Sequence, residues 1–525
     1  MSFPSRRARI VTLAGVATLG IAGTASASTA VYTTDTNQLQ ITVDGAPGTD
    51  RVTCEGGFVK FNGTDPTRVP ADGKVTTGCA ASVSLKVDEP DLNTATNNTL
   101  DLRGITRAEW TGLATSTTPF AINMGGGNDT VFGSEFAEVH TPGNGDDIVN
   151  ANAGDDTLVW KPGQASDVMN GGDGRDTVLD EGGNGDEQFV IKPKAGDPTR
   201  VDASRINNPF TLDIDAEKLV VNGNGGNDSI TGNAGVAGLI KTEMNGGDGN
   251  DVLVGTDGDD IQRGGIGNDD LSGAKGDDNM AGEDGDDILR WNPGDGSDTF
   301  EGGAGNDIAQ DNGGAAAEHF VVSANGQRVT ATRDNGAPFF LDIGTSEKLD
   351  LNTAGGDDSV DVNGGLGALI NVDADLGDGN DSIKARNDSA QVIDGAAGTD
   401  TASVDATDQV SNVEKVTGKA KPKAKLRLKK LQLKNGKVKV KASLPAGASE
   451  AKGRIRILKG KTLYGSRKIT LAPGKAQTFS VKITKAARIK VAKAERKTLP
   501  VKLKIKLTDA AGTTAVASKQ LNLKG

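Results

Sequence analysis

The sequence predicts an all-β protein: a parallel β-roll or β-helix solenoid over most of the chain, followed by a small β-sandwich. Three observations predict this fold class. Gly and Asp recur at nine-residue intervals from 249 to 285. Hydrophobic residues make up 35% and aromatic residues 3% of the 525 positions, too little for large conventional cores. The C-terminal segment alternates Lys with Leu, Val or Ile, which is typical of half-buried strands.

The net charge of −13 is the difference between two segments of opposite sign. Residues 419–525 contain 31 Lys and Arg against three acids, a net charge of +28, so residues 1–418 carry −41. Such asymmetry indicates two regions with different tasks or partners. No apolar run beyond the N-terminus reaches the roughly 18 residues of a membrane span, so no transmembrane segment is predicted.

The N-terminus has the pattern of a secretory signal peptide. Arg6, Arg7 and Arg9 precede an apolar stretch over 10–23, and Ala25-Ser26-Ala27 has the form of a cleavage site. We therefore predict a signal peptide over 1–27 and a secreted, extracellular or cell-surface protein.

Residues 28–122 are predicted to form a degenerate β-helix module. Phe58-Val59 and Asp65–Val69 match Phe189-Val190 and Asp197–Val201 downstream. The chain's two cysteines, Cys54 and Cys79, lie in this module. After export they are predicted to form a disulfide, because two thiols without a companion His do not make a four-ligand zinc site.

The repeated element is G-x-D-x-(apolar), and its residue types suit a metal-binding turn. Gly permits positive φ, Asp is a short oxygen ligand, and the apolar residue two positions later begins an inward-facing strand. The absence of Cys and His from the turns argues against zinc or copper. The candidate metal ligands are Asp129, Asp147, Asp156, Asp176, Asp228, Asp251, Asp260, Asp269, Asp278, Asp287, Asp298, Asp307, Asp358, Asp381 and Asp400.

This element resembles the hemolysin-type (RTX) calcium-binding nonapeptide, G-G-x-G-x-D-x-U-x. The resemblance implies a β-roll in which two nonapeptides make one turn and each Ca²⁺ lies between loops of neighbouring turns. Ligands would then pair two nonapeptides apart, with Asp251, Asp269 and Asp287 in one column and Asp260 and Asp278 in the opposite one. Asp156 would face a degenerate copy at Glu138. Four copies stand outside the tandem runs as weaker candidates: Asp228, Asp358, Asp381 and Asp400.

The sequence also repeats over a longer interval than the nonapeptide. Trp160 and Glu187 return as Trp291 and Glu318, at the same offset along the chain. Residues 123–416 are therefore predicted to be a calcium-binding roll of two related modules, each of about 130 residues, which is an ordinary size for a structural unit. Each module joins metal-type turns to longer, Asp-poor strands.

Residues 417–424 are predicted to be a linker, and residues 425–525 a basic, immunoglobulin-like β-sandwich. Asn435-Gly436 between alternating runs indicates a hairpin, and residues 485–493 fit one or two helical turns. The segment resembles the Ala/Lys-rich terminal β-domains of exported actinobacterial proteins. Its charge suits either an anionic cell-surface polymer or the protein's own acidic coil. Nucleic acid is not predicted as a partner, because aromatic stacking residues are scarce.

The sequence favours a calcium-binding protein that is not an enzyme. The coil is expected to fold on binding multiple Ca²⁺ ions, with a structural, adhesive or surface-interaction role. The two histidines, His140 and His319, lie within the repeat region and accompany no recognised catalytic motif. The alternative is a secreted hydrolase or lyase acting on polysaccharide from a β-helix scaffold.

Overall fold

A computed structural model describes the following residues: 29–33, 38–42, 48–55, 58–61, 67–69, 84–88, 97–110, 113, 120–336, 338–387, 389–405, 407–417, 425–426, 431–444, 450–472, 474–494, 498–509 and 514–525. The predicted signal peptide, Cys79 and residues 418–424 of the predicted linker lie outside the described residues. The chain divides into two compact units. The first ends at Val178 and the second begins at Leu179.

Short strands dominate both units. The first unit contains β1 (Thr29–Thr33), β2 (Gln38–Thr42), β3 (Gly48–Glu55), β4 (Phe58–Phe61), β5 (Thr67–Val69), β6 (Ser84–Asp88), β7 (Asn98–Asp101), β8 (Phe120–Asn123), β9 (Thr130–Phe132), β10 (Glu138–Thr141), β11 (Ile148–Ala153), β12 (Thr157–Trp160) and β13 (Val168–Asp173). Strand β14 (Thr177–Glu181) spans the division between the units.

The coil of the second unit continues the series with β15 (Gln188–Pro193), β16 (Val201–Arg205), β17 (Phe210–Asp215), β18 (Lys218–Gly225), β19 (Ser229–Gly232), β20 (Lys241–Asp248), β21 (Val252–Val254), β22 (Ile261–Ile266), β23 (Asp270–Ser272), β24 (Asn279–Asp284), β25 (Ile288–Trp291), β26 (Thr299–Ala304), β27 (Ile308–Asn312), β28 (His319–Asn325), β29 (Arg328–Arg333), β30 (Phe339–Gly344), β31 (Lys348–Asn352), β32 (Ser359–Val362), β33 (Asn371–Asp375), β34 (Asp378–Gly379), β35 (Ser382–Ala385), β36 (Val392–Asp394), β37 (Ala397–Gly398), β38 (Thr401–Val404), β39 (Gln409–Ser411) and β40 (Lys415–Thr417). A 3-10 turn covers Leu366–Ala368.

The first unit contains two stacks of parallel strands. One stack runs β2, β6, β8, β10, β12, and the other runs β3, β7, β9, β11, β13. Successive strands alternate between the stacks, as a coiling chain requires. Buried side chains such as Leu100, Ile122 and Val131 form the core of this unit.

The second unit repeats the same coil and confirms the predicted parallel solenoid. Strands β18, β20, β22, β24 and β26 pair in parallel in one stack. Strands β19, β21, β23, β25 and β27 pair in parallel in the other. The apolar residue two positions after the motif Asp points inward, since Leu253, Leu271 and Leu289 are fully buried.

The Asp-poor stretches have a more specific form than the sequence predicts. Strands β15–β17 and β28–β30 each form a three-stranded antiparallel meander inserted in the coil. The second meander turns at Asn325-Gly326, where Gly326 has φ +66°, a conformation that favours glycine in tight hairpins.

The tail consists of β41 (Lys425–Leu426), β42 (Leu431–Lys434), β43 (Lys437–Ser443), β44 (Ala451–Lys459), β45 (Thr462–Leu471), β46 (Gln477–Lys482), α1 (Lys485–Ala492), β47 (Thr498–Asp509) and β48 (Thr514–Lys524). The predicted Asn435-Gly436 hairpin joins β42 to β43. Side chains such as Val440, Ile455 and Ile505 pack into one apolar cluster, which confirms the predicted small β-sandwich. The N-cap Thr484 begins α1 by accepting the backbone N–H of Ala487.

Among the residues that the structure describes, no helix combines the length and the apolar character needed to cross a membrane.

Candidate metal centre

The motif Asp residues form hydrogen-bonded ladders along the coil. Asp251 donates its backbone N–H to Oδ1 of Asp269 at 2.7 Å, and Asp269 donates to Oδ1 of Asp287 at 2.8 Å. The opposite ladder joins Asp260 to Asp278 at 2.8 Å. The spacing arises because strands two nonapeptides apart are hydrogen-bonded neighbours. Each carboxylate therefore satisfies the backbone amide of the turn before it.

Glycine provides the space for these carboxylates. A Cβ atom on Gly246 would lie 2.2 Å from Oδ2 of Asp251, and one on Gly264 would lie 2.3 Å from Oδ2 of Asp269. The glycine two residues before each Asp also approaches the preceding turn: Gly249 has φ +142°, and its Cβ would lie 1.6 Å from the Gly226 carbonyl oxygen. The repeat thus needs Gly both for backbone conformation and for the close approach of side-chain and backbone oxygens.

The second oxygen of many motif carboxylates is buried without a hydrogen-bond partner among the described residues. It is the opposite oxygen from the one that accepts the backbone amide in each ladder. Leaving such an atom buried is costly unless a partner satisfies it. The residues with an unpartnered Oδ2 include Asp156, Asp228, Asp251, Asp269, Asp278, Asp287, Asp298, Asp307, Asp381 and Asp400.

Burial perturbs the ionisation of these side chains. Burial raises the pKa of Asp278 to about 9, and neighbouring Asp298 and Asp260 add to the rise. Burial likewise raises the pKa of Asp269 and Asp298 to about 7, although hydrogen bonds from backbone amides oppose the shift. In a protein without a compensating cation, these groups would hold protons near neutral pH. The ladder is therefore a row of buried carboxyl groups whose ionised form a nearby cation would stabilise.

All fifteen predicted Asp residues are buried. Fourteen accept a backbone N–H from an earlier turn, whereas Asp260 accepts from the hydroxyl of Thr242 and from Thr256. The four copies outside the tandem runs make the same kind of bond: Asp228 donates to Asp251, and the other three form a ladder of their own. Asp358 donates to Asp381 and Asp381 donates to Asp400, at 2.7 Å and 2.9 Å.

Several ladder acids fall outside the nonapeptide pattern. Asp167 accepts from the Asp147 amide at 2.9 Å, and burial raises its pKa to about 8. It precedes Asp298 by the same offset that separates Trp160 from Trp291, so the longer period identifies it although Ala165 replaces the expected Gly. Glutamates continue the ladders where the repeat is interrupted, as acceptors or donors of the same bond: Glu138, Glu187, Glu318, Glu347 and Glu414.

One place in the first unit combines carboxylates with a histidine. Glu138, His140 and Asp156 are all buried, and each offers a ligand atom within 4.8 Å of the other two. Nε2 of His140 lies 3.0 Å from Oε2 of Glu138. The other histidine, His319, is half-buried in the second unit, where its Nδ1 lies 2.8 Å from Oδ1 of Asp334.

Two further acids lie inside the coil at equivalent positions. Asp180 and Asp311 are fully buried, and neither carboxylate oxygen has a hydrogen-bond partner among the described residues. Burial raises the pKa of each to about 8, while nearby Arg205 and Arg333 oppose the shift. Sequence reasoning missed both, because they occupy inward strand positions rather than turns.

Cys54 is disulfide-bonded. Its predicted partner, Cys79, lies outside the described residues.

The tail presents a basic face on the sheet formed by β45, β44 and β47. Six exposed cations lie there: Lys452, Arg454, Arg456, Lys468, Lys504 and Lys506. Arg454 is directly opposite Lys468 on one side and Lys506 on the other. Like charges in cross-strand pairs destabilise a sheet, so these pairs do not contribute to the stability of the tail.

No protein-family model matches this chain, and no curated protein sequence matches it.

Proposed function

We propose that this chain is a secreted calcium-binding repeat protein whose coil folds on binding multiple Ca²⁺ ions. Its role is structural or adhesive rather than catalytic, and its basic tail attaches it to an anionic cell-surface polymer. The observation that carries the calcium part is the row of buried carboxylate oxygens without hydrogen-bond partners. The predicted signal peptide supports export to a compartment where calcium is abundant.

The arrangement of oxygens fits a hard divalent cation. The position of a Cβ atom on Gly246 would lie 2.2 Å from Oδ2 of Asp251 and 2.6 Å from the carbonyl oxygen of Gly264. At Gly282 the corresponding atoms are Oδ2 of Asp287 and the carbonyl oxygen of Gly302, at 2.3 Å and 2.6 Å. A carboxylate oxygen and a backbone carbonyl oxygen thus both lie close to a glycine at successive turns. Carboxylate and backbone carbonyl oxygens are the ligand types that Ca²⁺ takes, six to eight at a time.

Charge supports the same conclusion. Each turn adds one buried carboxylate to a ladder, and nearby carboxylates raise one another's pKa. A divalent cation between turns would favour the ionised form of both neighbours, so binding and coil formation would reinforce each other.

The basic face supports a polyanionic partner for the tail. Its cations lie on three adjacent strands, and no acidic residue lines the same depression. A flexible polymer with regularly spaced negative charges suits an open, cationic sheet face, because it contacts several lysines and arginines at once. Binding of this kind weakens as salt rises.

The calcium proposal is tested with Asp287→Asn, using Asp284→Asn as the matched control. Asp287 is buried in a ladder, whereas Asp284 is exposed three residues earlier, and both changes remove one negative charge. We expect calorimetric titration of the full chain to show at least one Ca²⁺ site lost, or weakened about tenfold, only in Asp287→Asn. Asn keeps an oxygen for the Asp269 amide, so a purely structural hydrogen bond predicts equal calcium binding in both variants. Equal binding, or no binding by the parent protein, would contradict the proposal.

The tail proposal is tested by binding of the calcium-loaded chain to dextran sulfate, which binds Ca²⁺ only weakly, and to uncharged dextran. We expect salt-sensitive retention on dextran sulfate alone, and at least threefold weaker retention when Arg454 and Lys506 are replaced by Gln. In the control, Gln replaces Lys439 and Lys441, which lie on β43 outside this face. Failure of the parent chain to bind dextran sulfate at low salt would exclude this attachment and favour docking on the acidic coil.

A further inference from the structure

We propose that Glu138, His140 and Asp156 form a separate, buried site for a divalent transition-metal ion, with Zn²⁺ as the probe. This inference does not depend on the calcium proposal, because it rests on a nitrogen ligand that the other turns do not provide. It concerns one turn of the coil in the first unit, where Glu and His replace the usual Asp and apolar residue of the repeat.

The departure is visible in the strand itself. In β10 the ladder position holds Glu138 in place of Asp, and the inward position two residues later holds His140. The neighbours of His140 in register are Ile122 and Leu158, both fully buried. An imidazole therefore occupies a level of the core that is apolar on both sides, where an unsatisfied nitrogen is costly.

The ring is only partly satisfied by protein atoms. Nε2 of His140 lies 3.0 Å from Oε2 of Glu138, whereas Nδ1 is buried with no hydrogen-bond partner among the described residues. Oδ2 of Asp156, on the adjacent turn, is buried and unpartnered in the same way. The other oxygen of Asp156, Oδ1, accepts the backbone N–H of Glu138 at 2.7 Å. Oδ2 of Asp156 is thus an unpartnered ligand atom of the buried cluster, and His140 can turn only one of its two ring nitrogens towards it.

The distances are compatible with one ion. Two ligand atoms bound to Zn²⁺ at the usual 2.0–2.1 Å lie about 2.9–3.4 Å apart for bond angles between 90° and tetrahedral. The His140–Glu138 pair already lies in this range, and one ligand atom from each of the three residues lies within 4.8 Å of the other two. Small side-chain rotations toward the centre would complete a three-ligand set, leaving room for a water molecule or for the nearby carbonyl oxygen of Ala151. That carbonyl and Oε2 of Glu138 both face the space at Gly133.

The donor set selects the class of metal. Imidazole nitrogen with two carboxylates suits Zn²⁺ and neighbouring transition metals, whereas Ca²⁺ prefers oxygen ligands throughout. An open depression includes residues that are next in sequence to Glu138 and Asp156. Its charged lining consists of Glu135, Asp155, Asp173 and Arg107, so acids outnumber the one base there.

The experiment uses the full chain saturated with Ca²⁺, so that oxygen-only sites are occupied before Zn²⁺ is added. After dialysis against calcium buffer, bound zinc is counted by elemental analysis. Parallel titration with Co²⁺ reports the ligand field through visible absorption. We expect one tightly held Zn²⁺ per chain in the parent protein and less than one tenth of that in His140→Leu. Leu is chosen because the neighbour of position 140 in register is Leu158.

The matched control is His319→Leu, because His319 is the chain's other histidine and lies in the second unit. It should keep the full equivalent of Zn²⁺. If His140→Leu perturbs folding, as shown by its circular dichroism, Glu138→Gln provides the second test. Its amide can still hydrogen-bond His140 but is a poor ligand, so we expect zinc affinity to fall at least tenfold. Absence of Zn²⁺ from the parent protein, retention by His140→Leu and Glu138→Gln, or loss in His319→Leu would each overturn the site.

Discussion

The coil around residues 244–312 and the tail around residues 431–524 are both built from strands, but they fill their interiors differently. In the tail, inward positions hold Val, Ile and Leu from nearly every strand, and these side chains form one apolar cluster. In the coil, a half-turn typically buries one apolar side chain such as Leu271 and one carboxylate such as Asp269, although Gln262 takes the apolar position in one of them. The interior of the tail is therefore filled by apolar side chains of the chain itself, whereas the coil also buries carboxylates, which our proposal pairs with an external cation.

Removing divalent cations should produce the largest difference in stability between the coil and the tail. With EDTA we expect the coil to lose its structure while the tail remains folded, because only the coil depends on buried carboxylates. Trp110, Trp160 and Trp291 all lie in the coil and are buried, and the tail has no tryptophan. Tryptophan fluorescence should therefore shift to the red. Amide hydrogen exchange should show that β47 and β48 keep their protection.

Addition of excess CaCl₂ is the control and should restore the fluorescence. Loss of protection in both regions together, or in neither, would contradict the difference that we draw between them.

The second largest effect is expected from truncating the tail core. Ile505→Ala removes a fully buried side chain from β47, so we expect the free energy of unfolding of the tail to fall by about 2–5 kcal/mol. This loss should be the same with and without calcium. Ile489→Ala is the control, since Ile489 is 46% exposed on α1 and should change stability by less than about 0.5 kcal/mol. Denaturant unfolding followed by amide exchange in the tail measures both.

A glycine change should affect the coil by an intermediate amount. Gly246→Ala places a methyl group 2.2 Å from Oδ2 of Asp251, so the carboxylate must move. We expect a loss of about 1–3 kcal/mol in the calcium-loaded state and weaker calcium binding. Gly185→Ala is the matched control because no atom lies within 4 Å of its added Cβ. Thermal unfolding with calcium present distinguishes the variants, and equal melting temperatures would refute the crowding argument.

The smallest effect, over one pH unit, concerns Asp311, whose pKa burial raises to about 8 from 3.8 in the unfolded chain. Folding therefore takes up a proton between these values, and stability falls as pH rises from about 4 to 8. Asp311→Asn removes this contribution, so we expect the stability of the variant relative to the parent to rise by about 1 kcal/mol between pH 4 and pH 5 and to go on rising towards pH 8. Asp284→Asn keeps Asp311, so its stability relative to the parent should not change with pH in this way. Chemical unfolding of calcium-loaded protein across this pH range is the measurement.

The sequence predicts the regular part of the coil because local and global periods agree there. One nonapeptide makes half a turn, so Asp251 and Asp269 must be neighbours once the chain coils. The prediction is less complete where the period changes. Asp307 bonds Glu347 on the far side of an insertion, since the meander of β28–β30 lies between them and its pairing is long-range.

Other residues were missed for chemical reasons. Asp311 resembles any polar residue of a strand, and only the burial of its position makes it unusual. His140 lies within the repeats and accompanies no recognised motif, and only the structure places its ring nitrogen beside Glu138. The basic face of the tail follows from alternation, but the alignment of Arg454 between Lys468 and Lys506 depends on strand order, which alternation does not specify.

The buried bonds of the motif acids all run the same way: an amide from an earlier residue meets a carboxylate from a later one, as far as Asp400 and Glu414. The exposed residue before each motif Asp forms a second row that runs the opposite way, since the amide of Asn268 donates to Oδ1 of Asn250. Removing turns from the C-terminal side would therefore leave buried N–H donors without acceptors, whereas removing them from the N-terminal side would leave buried carboxylates without donors. In a chain synthesised from its N-terminus, each buried amide obtains its acceptor only after the next turn has been made.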